Sequence, residues 1–273
     1  MKTGFMAGVM LLAAGAAWAD GPEIRVVRSA LEQGGFLVAK VPVGSVVTLD
    51  GEALVVGPQG EVMAGFDRAA KAKAVLKVCD VAGECATQEL AVKERVFVTQ
   101  NVKGIPPKTV DPDPKELARM KNDNAATQAA RDKAREGAKW RSAFVDGFNL
   151  PIQAPTSGVY GSRRTYNGQE RSWHKGHDLA AKTGTPVKAP ADGIVRLARE
   201  TFMSGNLIML DHGGALTTVY AHLHTMGVKV GDSVKAGDVI GTVGTTGRSS
   251  GPHLHWGAYW KNTAIDPILW VRK

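Results

Sequence analysis

Cysteine is almost absent from these 273 residues: Cys79 and Cys85, in the segment VCDVAGEC, are the two that occur. One pair cannot make a disulfide-dense scaffold. Nor can it complete a thiolate metal site, because no further thiol and no histidine lies near it in sequence. It can form a single small-loop disulfide, with Gly83 easing the turn, in a chain that reaches an oxidising compartment. Aromatic residues are also few, at 6%. No long apolar run follows the first twenty residues, so no later segment reads as a membrane span. No His-Glu-x-x-His occurs, which excludes the helix-borne zinc site that carries its own glutamate base. Histidine is missing until position 174, so the first half of the chain has no imidazole chemistry to offer.

What is present begins with a cation at Lys2, a short apolar stretch and Ala17-Trp18-Ala19, followed by Asp20. This is the pattern of a secretory signal peptide cleaved after Ala19, and it predicts an exported chain in the periplasm or cell envelope. The rival reading, a membrane anchor, fails on length and on the missing stop-transfer charges, so no stable membrane insertion is expected. The net charge of +8 suits contact with an anionic polymer or surface without identifying one, and nothing in the pattern points to nucleic acid.

Residues 20–102 read as short strands of Val, Leu and alternating patterns, punctuated by Asp-Gly and other glycine turns, which predicts a small β-sandwich-like accessory domain. Residues 103–143 are a break and a linker. The prolines of GIPPKTVDPDP stop regular pairing. Asp113-Pro114-Lys115-Glu116 then has the N-cap, the first-turn proline and the glutamate of a capping box. The helix that follows is rich in Ala and charge and poor in large apolar residues, so a solvated helical linker is expected rather than a core helix. Residues 144–273 are glycine-rich, hold all seven histidines, and predict a mostly antiparallel β-domain with a groove.

The chemistry concentrates there. In WHKGHDLA, His174 and Asp178 are four apart, so an extended chain places them on one face, while His177 next to Asp178 faces away. His174 and Asp178 are therefore taken as two metal ligands and His177 as a bystander. A catalytic zinc takes three protein ligands and keeps one position open, so a third must come from elsewhere. Two His-Leu-His triplets offer candidates: His222 and His224 in YAHLH, and His253 and His255 in PHLHW. On a strand both imidazoles of a triplet share a face. They can all ligate, or divide between holding metal and moving protons.

HKGHD, then GTPVKAPADGIV, then VYAHL, then VKVGDSVKAGDVIGTVGTTGRSSGPHLHW together resemble the lysostaphin and LytM type of zinc metalloendopeptidase, over residues 158–266. The resemblance implies a C-terminal antiparallel β metallopeptidase domain binding Zn2+, in a mostly β chain with the N-terminal domain and linker described above. His174, Asp178 and His255 fall on its zinc ligands. His253 and His222 fall on its two catalytic histidines. His224 has no role in that pattern, and His212 in LDHGG matches a structural turn. The implied activity is hydrolysis of peptide bonds in peptidoglycan stem peptides or cross-links, by zinc-activated water assisted by the two histidines. The alternative is a non-catalytic regulator of a cell-wall amidase on the same fold, but such members lack ligands that are intact here. A biotinyl- or lipoyl-type carrier is suggested by VGDSVKAGDVIG alone and leaves the histidines unexplained. Peptidoglycan peptides are the expected partner, with envelope proteins as partners through the N-terminal domain left open. The helical linker either lies over the groove or serves as a spacer.

Overall fold

The structure is a computed structural model that describes residues 21–136, 143–166 and 168–272. Residues 1–19, expected from sequence to be a signal peptide, and the end of the expected linker at 137–142 lie outside the described residues.

The N-terminal region forms two small antiparallel sheets. One has the order Arg25–Ala30, Phe36–Lys40, Glu61–Gly65; the other has Glu52–Ala53, Val46–Leu49, Lys73–Cys79, Cys85–Ala91. Alternation shows in Lys73–Cys79, whose Ala74, Leu76 and Val78 are buried while Lys73, Val75 and Lys77 face water. Cys79 and Cys85 pair across the hairpin and are joined as a disulfide. The turn between them is tight because Asp80 Oδ1 accepts the amides of Ala82 and Glu84, and Gly83 takes a φ of 88° that L side chains resist.

The end of this region contacts the C-terminal part of the chain. Thr99–Val102 leaves the two sheets and pairs in parallel with Arg163–Tyr166 of the C-terminal region. One apolar cluster also runs through both regions: Phe36 stacks on Trp270 with ring centroids 3.8 Å apart, and both side chains are buried.

The capping box forms as the sequence indicates. Asp113 accepts from the Glu116 amide, Glu116 accepts from the Asp113 amide, and a 22-residue helix runs over Pro114–Arg135. Most of the helix is exposed, with four buried residues of its 22, but one narrow face docks. Ala130, with Ala126 beside it, packs on Leu197, Leu207, Met209, Val219 and Ala221 of the large sheet. The stripe is narrow and made of alanines, so a count of large apolar residues misses it, yet small side chains let a helix seat closely on a sheet.

The large sheet has eight strands. Its order is Ser233–Val234, Gly193–Thr201, Gly205–Asp211, Leu216–Leu223, His253–Trp260, His177–Ala180, Thr156–Gly158, with Thr263–Ile265 also paired to His253–Trp260. Every one of these pairs is antiparallel. Period-two alternation divides its faces. Ile208, Leu210, Tyr220, Leu254 and Trp256 point into the main core; Leu207, Met209, Val219 and Tyr259 point to the face that carries the helix. His253 and His255 share the parity of Tyr259, so the helix flanks the histidines on the same face.

Candidate functional site

His177–Ala180 lies beside His253–Trp260 with Asp178 directly opposite His255. That register puts the carboxylate and the imidazole on one face at neighbouring positions. His174 arrives differently from the sequence expectation. The strand begins only at His177, so His174 sits on the loop before it, held by its amide to the Ser162 carbonyl and by its own carbonyl to the Gly161 amide. Gly176 is required by close approach: a Cβ there would meet the Trp256 carbonyl oxygen at 2.6 Å and the His255 ring at 2.7 Å. The space it leaves is taken by His255 and the Trp256 carbonyl.

Three atoms converge. His174 Nε2 is 3.0 Å from Asp178 Oδ1 and 3.0 Å from His255 Nδ1, and His255 Nδ1 is 2.8 Å from Asp178 Oδ1. His174 Nδ1 lies 2.9 Å from the Val159 carbonyl, which can only accept, so the ring carries its proton there and turns a lone pair on Nε2 toward the other two groups. Two imidazole nitrogens and one carboxylate oxygen, with a groove alongside, form a group that could hold a metal ion. Burial pushes the Asp178 carboxyl upward, but hydrogen bonds and charge from His174 and His255 outweigh it and hold the group well below the carboxylate range. Burial drives the His255 imidazole down against the pull of Asp178. An anionic carboxylate and neutral imidazoles are the forms that bind a cation.

The other oxygen of Asp178 is occupied by Arg164, whose Nη2 lies 2.5 Å from Oδ2. No sequence spacing flags Arg164; the parallel pairing of Thr99–Val102 with Arg163–Tyr166 sets its strand in place.

His222 and His253 stand side by side, ring centroids 4.8 Å apart. His253 donates from Nδ1 to the Gly251 carbonyl at 2.8 Å, and His222 donates from Nδ1 to the Thr246 carbonyl at 2.8 Å. Each therefore presents a bare Nε2; that of His253 is 4.0 Å from Asp178 Oδ1. Burial, reinforced by His253 and His255, pushes His222 down to about 3, so it is neutral near pH 7.

The YAHLH triplet departs from strand alternation. Its strand carries one extra residue against its partner, since Asn206 opposes Leu223 while Ile208 opposes Tyr220. His222 takes up this bulge with φ at 62°, and its amide bonds to the Ser204 carbonyl. A left-handed non-glycine residue is strained, and a bulge re-aims a side chain. His222 is buried; His224, past the strand end, is exposed and bonds its amide to Thr242. The two rings do not share a face. His177 bonds through Nε2 to Thr156 Oγ1 at 2.9 Å, outside the converging atoms. His212 has both ring nitrogens engaged, by the Asp192 carbonyl and Thr218 Oγ1, as a structural residue would.

A groove of about 760 Å3 runs past these groups. Its walls include Gln100–Lys103 and Ile105, Asn124 of the helix, and the loop Arg248–Pro252. Only the last of these lies within the stretch that resembles a peptidase.

Residues 172–267 match Peptidase family M23. The chain thus carries an M23 peptidase domain of the lysostaphin/LytM type. It is 43% identical over 124 residues to the DD-carboxypeptidase/endopeptidase Mpg of Neisseria meningitidis serogroup B, covering 45% of this chain and 29% of that protein. It is 41% identical over 105 residues to the glycyl-glycine endopeptidase ALE-1 of Staphylococcus capitis, covering 36% of this chain and 29% of that one. The chain thus spans under a third of either relative. An M23 structure from Pseudomonas aeruginosa superposes with a TM-score of 0.67 at 25% identity, over 90% of this chain and 96% of its own. That coverage takes in the N-terminal sheets as well as the peptidase domain.

Proposed function

We propose that the protein is an exported zinc metalloendopeptidase that hydrolyses peptide bonds in peptidoglycan stem peptides or cross-links. The observation that carries this reading is the convergence of His174 Nε2, Asp178 Oδ1 and His255 Nδ1 beside two histidines with bare Nε2 atoms. Relatives named as a DD-carboxypeptidase/endopeptidase, a glycyl-glycine endopeptidase and the peptidoglycan DD-endopeptidase ShyC of Vibrio cholerae support the substrate class. Export is supported by the Cys79–Cys85 disulfide, which persists in an oxidising compartment.

In this reading His174, Asp178 and His255 hold the zinc, and Arg164 on Oδ2 keeps Asp178 presenting Oδ1. When bound, the metal supplies Lewis acidity to a water and to the scissile carbonyl. His253 Nε2 accepts a proton from the attacking water, with its ring fixed by the Gly251 carbonyl. His222 Nε2, beside His253, is the second station: the proton given up by the attacking water passes from these two rings to the leaving amine as the C–N bond breaks. Incubating the purified chain with defined muropeptides, with and without chelator, tests the whole reading. Cleavage that chelator stops and zinc restores is expected, with about one zinc per chain. A protein that takes up no metal on titration overturns it.

His222 is positioned from outside the domain's own motifs. Asp123, buried in the long helix, accepts from the Phe202 amide at 2.8 Å and from Arg199 at 3.0 Å. Phe202 begins the turn whose Ser204 carbonyl holds the His222 amide. Asp123→Ala is expected to lower kcat about tenfold with KM and zinc content little changed, as expected when a proton-handling group shifts. Asp123→Asn keeps an acceptor for the Phe202 amide and should recover most of that rate. Equal kcat for wild type and Asp123→Ala would remove the helix from catalysis.

A further inference from the structure

The strand that carries His253 and His255 runs on to Tyr259, on the same face of the sheet. Tyr259 is half-buried and lines the groove. Its ring lies back along the strand toward His255. Gly257 permits this: a Cβ there would meet Tyr259 Cε2 and the Lys175 carbonyl oxygen at 3.4 Å each, and Val219 Cγ2 at 2.8 Å. The ring therefore sits beside the loop that presents His174.

The long helix fixes that ring. Arg131 places its guanidinium carbon 4.0 Å from the ring centre, and the ring edge packs with Ala126 and Ala130 on Val219. The stack is the contact Arg131 makes: among the described residues its Nε is buried and has no hydrogen-bond partner. The Tyr259 hydroxyl has no partner among the described residues either. Burial raises its pKa against the charge of Arg131, so the phenol keeps its proton and stays a donor. Asn124, two turns or about 10 Å before Arg131 on the helix, is exposed and lines the same groove. Its carboxamide also has no partner among the described residues. The helix side of the groove thus offers neutral hydrogen-bonding groups and no charge.

A donor on a ring held by a stack and a packed cluster has little rotamer freedom left to lose, so a ligand acceptor gains most of the bond it forms. We propose that Tyr259 is a substrate-binding residue whose hydroxyl donates to a main-chain carbonyl of the bound peptide beyond the scissile bond, with Asn124 extending the subsite along the helix and Arg131 as its positioning residue. The ligand this selects is an extended peptide longer than the two residues of the cleaved bond, recognised there by its backbone rather than by a charge. A span of about 10 Å corresponds to about three residues of extended chain. The inference rests on the peptidase reading above and deepens it.

The test uses the zinc-loaded full chain and a defined muropeptide shortened one residue at a time from each end. Tyr259→Phe keeps the ring and its stack and removes one donor, so wild-type zinc content and melting temperature are expected. On the full-length peptide its KM should rise about fivefold with kcat little changed, as one neutral hydrogen bond allows. Wild type should show a step of the same size at the length where the residue that meets Tyr259 is removed, and Tyr259→Phe should show none there. Arg131→Met, which unstacks the ring, and Asn124→Ala should each raise KM on the full-length peptide. Wild-type KM in both of these variants removes the helix from the subsite and overturns its part in the proposal. A Tyr259→Phe protein with wild-type KM on the full-length peptide overturns the proposal, as does one whose KM exceeds wild type by the same factor at every length. If wild type cleaves no peptide of the series, the peptidase reading fails. Calorimetric titration of the full-length peptide into wild type and Tyr259→Phe then decides the subsite, with equal affinities counting against it.

Discussion

His253→Ala is expected to keep its zinc and lose at least about a hundredfold in kcat, whereas His174→Ala loses metal and activity together. The two residues play different parts in the geometry. His174 Nε2 lies 3.0 Å from both other converging atoms, so its removal leaves two donors. His253 Nε2 stands off at 4.0 Å from Asp178 Oδ1, and its removal leaves the three converging atoms in place. His222→Ala should follow His253→Ala, and His255→Ala should follow His174→Ala. His177→Ala should be mild in both respects, because that ring bonds to Thr156 away from the convergence. Zinc content set beside cleavage rate for the five proteins is the measurement. A His253→Ala protein without metal, next to a His255→Ala protein that retained it, would reverse the roles of the last triplet.

The site was readable in sequence where local rules govern it. Even spacing places His253 and His255 on one face, and the strand His253–Trp260 bears that out. The capping box at Asp113 and the lone cysteine pair needed only neighbours a few residues away. The parts that were not legible depend on distant chain. His222 breaks alternation because the turn after Thr201 offers its amide the Ser204 carbonyl, and a period-two rule cannot anticipate an inserted residue. Arg164 meets Asp178 because a strand from before the linker pairs beside it. The helix docks through two alanines that pattern counting treats as neutral. In each case the deciding contact lies across elements, where sequence spacing carries no information.

Cutting the chain before residue 144 is expected to cost both stability and activity, although every motif histidine remains. Trp270 would lose the stacked Phe36, and its carbonyl and that of Val271 would lose the Arg28 guanidinium, 3.0 Å from each. Asp266, buried at 2% exposure, would lose Arg95 at 3.0 Å, and its amide would lose the Gly34 carbonyl at 2.7 Å. The face bearing Leu197, Met209 and Val219 would lose the helix that covers it. A large apolar side chain brought back into water costs about 1.5–3 kcal/mol, and several are uncovered at once. At about 2–4 °C per kcal/mol for a chain of roughly this size, the melting temperature should fall by about 10 °C or more, or the fragment should aggregate. Where it stays folded, the groove lacks the wall of Gln100–Lys103 and Ile105, so KM for a muropeptide should rise. Thermal melts and steady-state rates of the full mature chain and the 144–273 fragment decide the matter. A fragment as stable as the whole, cleaving a soluble muropeptide at the same rate, would reduce the N-terminal region to a spacer. A faster fragment would make it a restraint. A less stable fragment with a raised KM is what a groove wall and a shared core require.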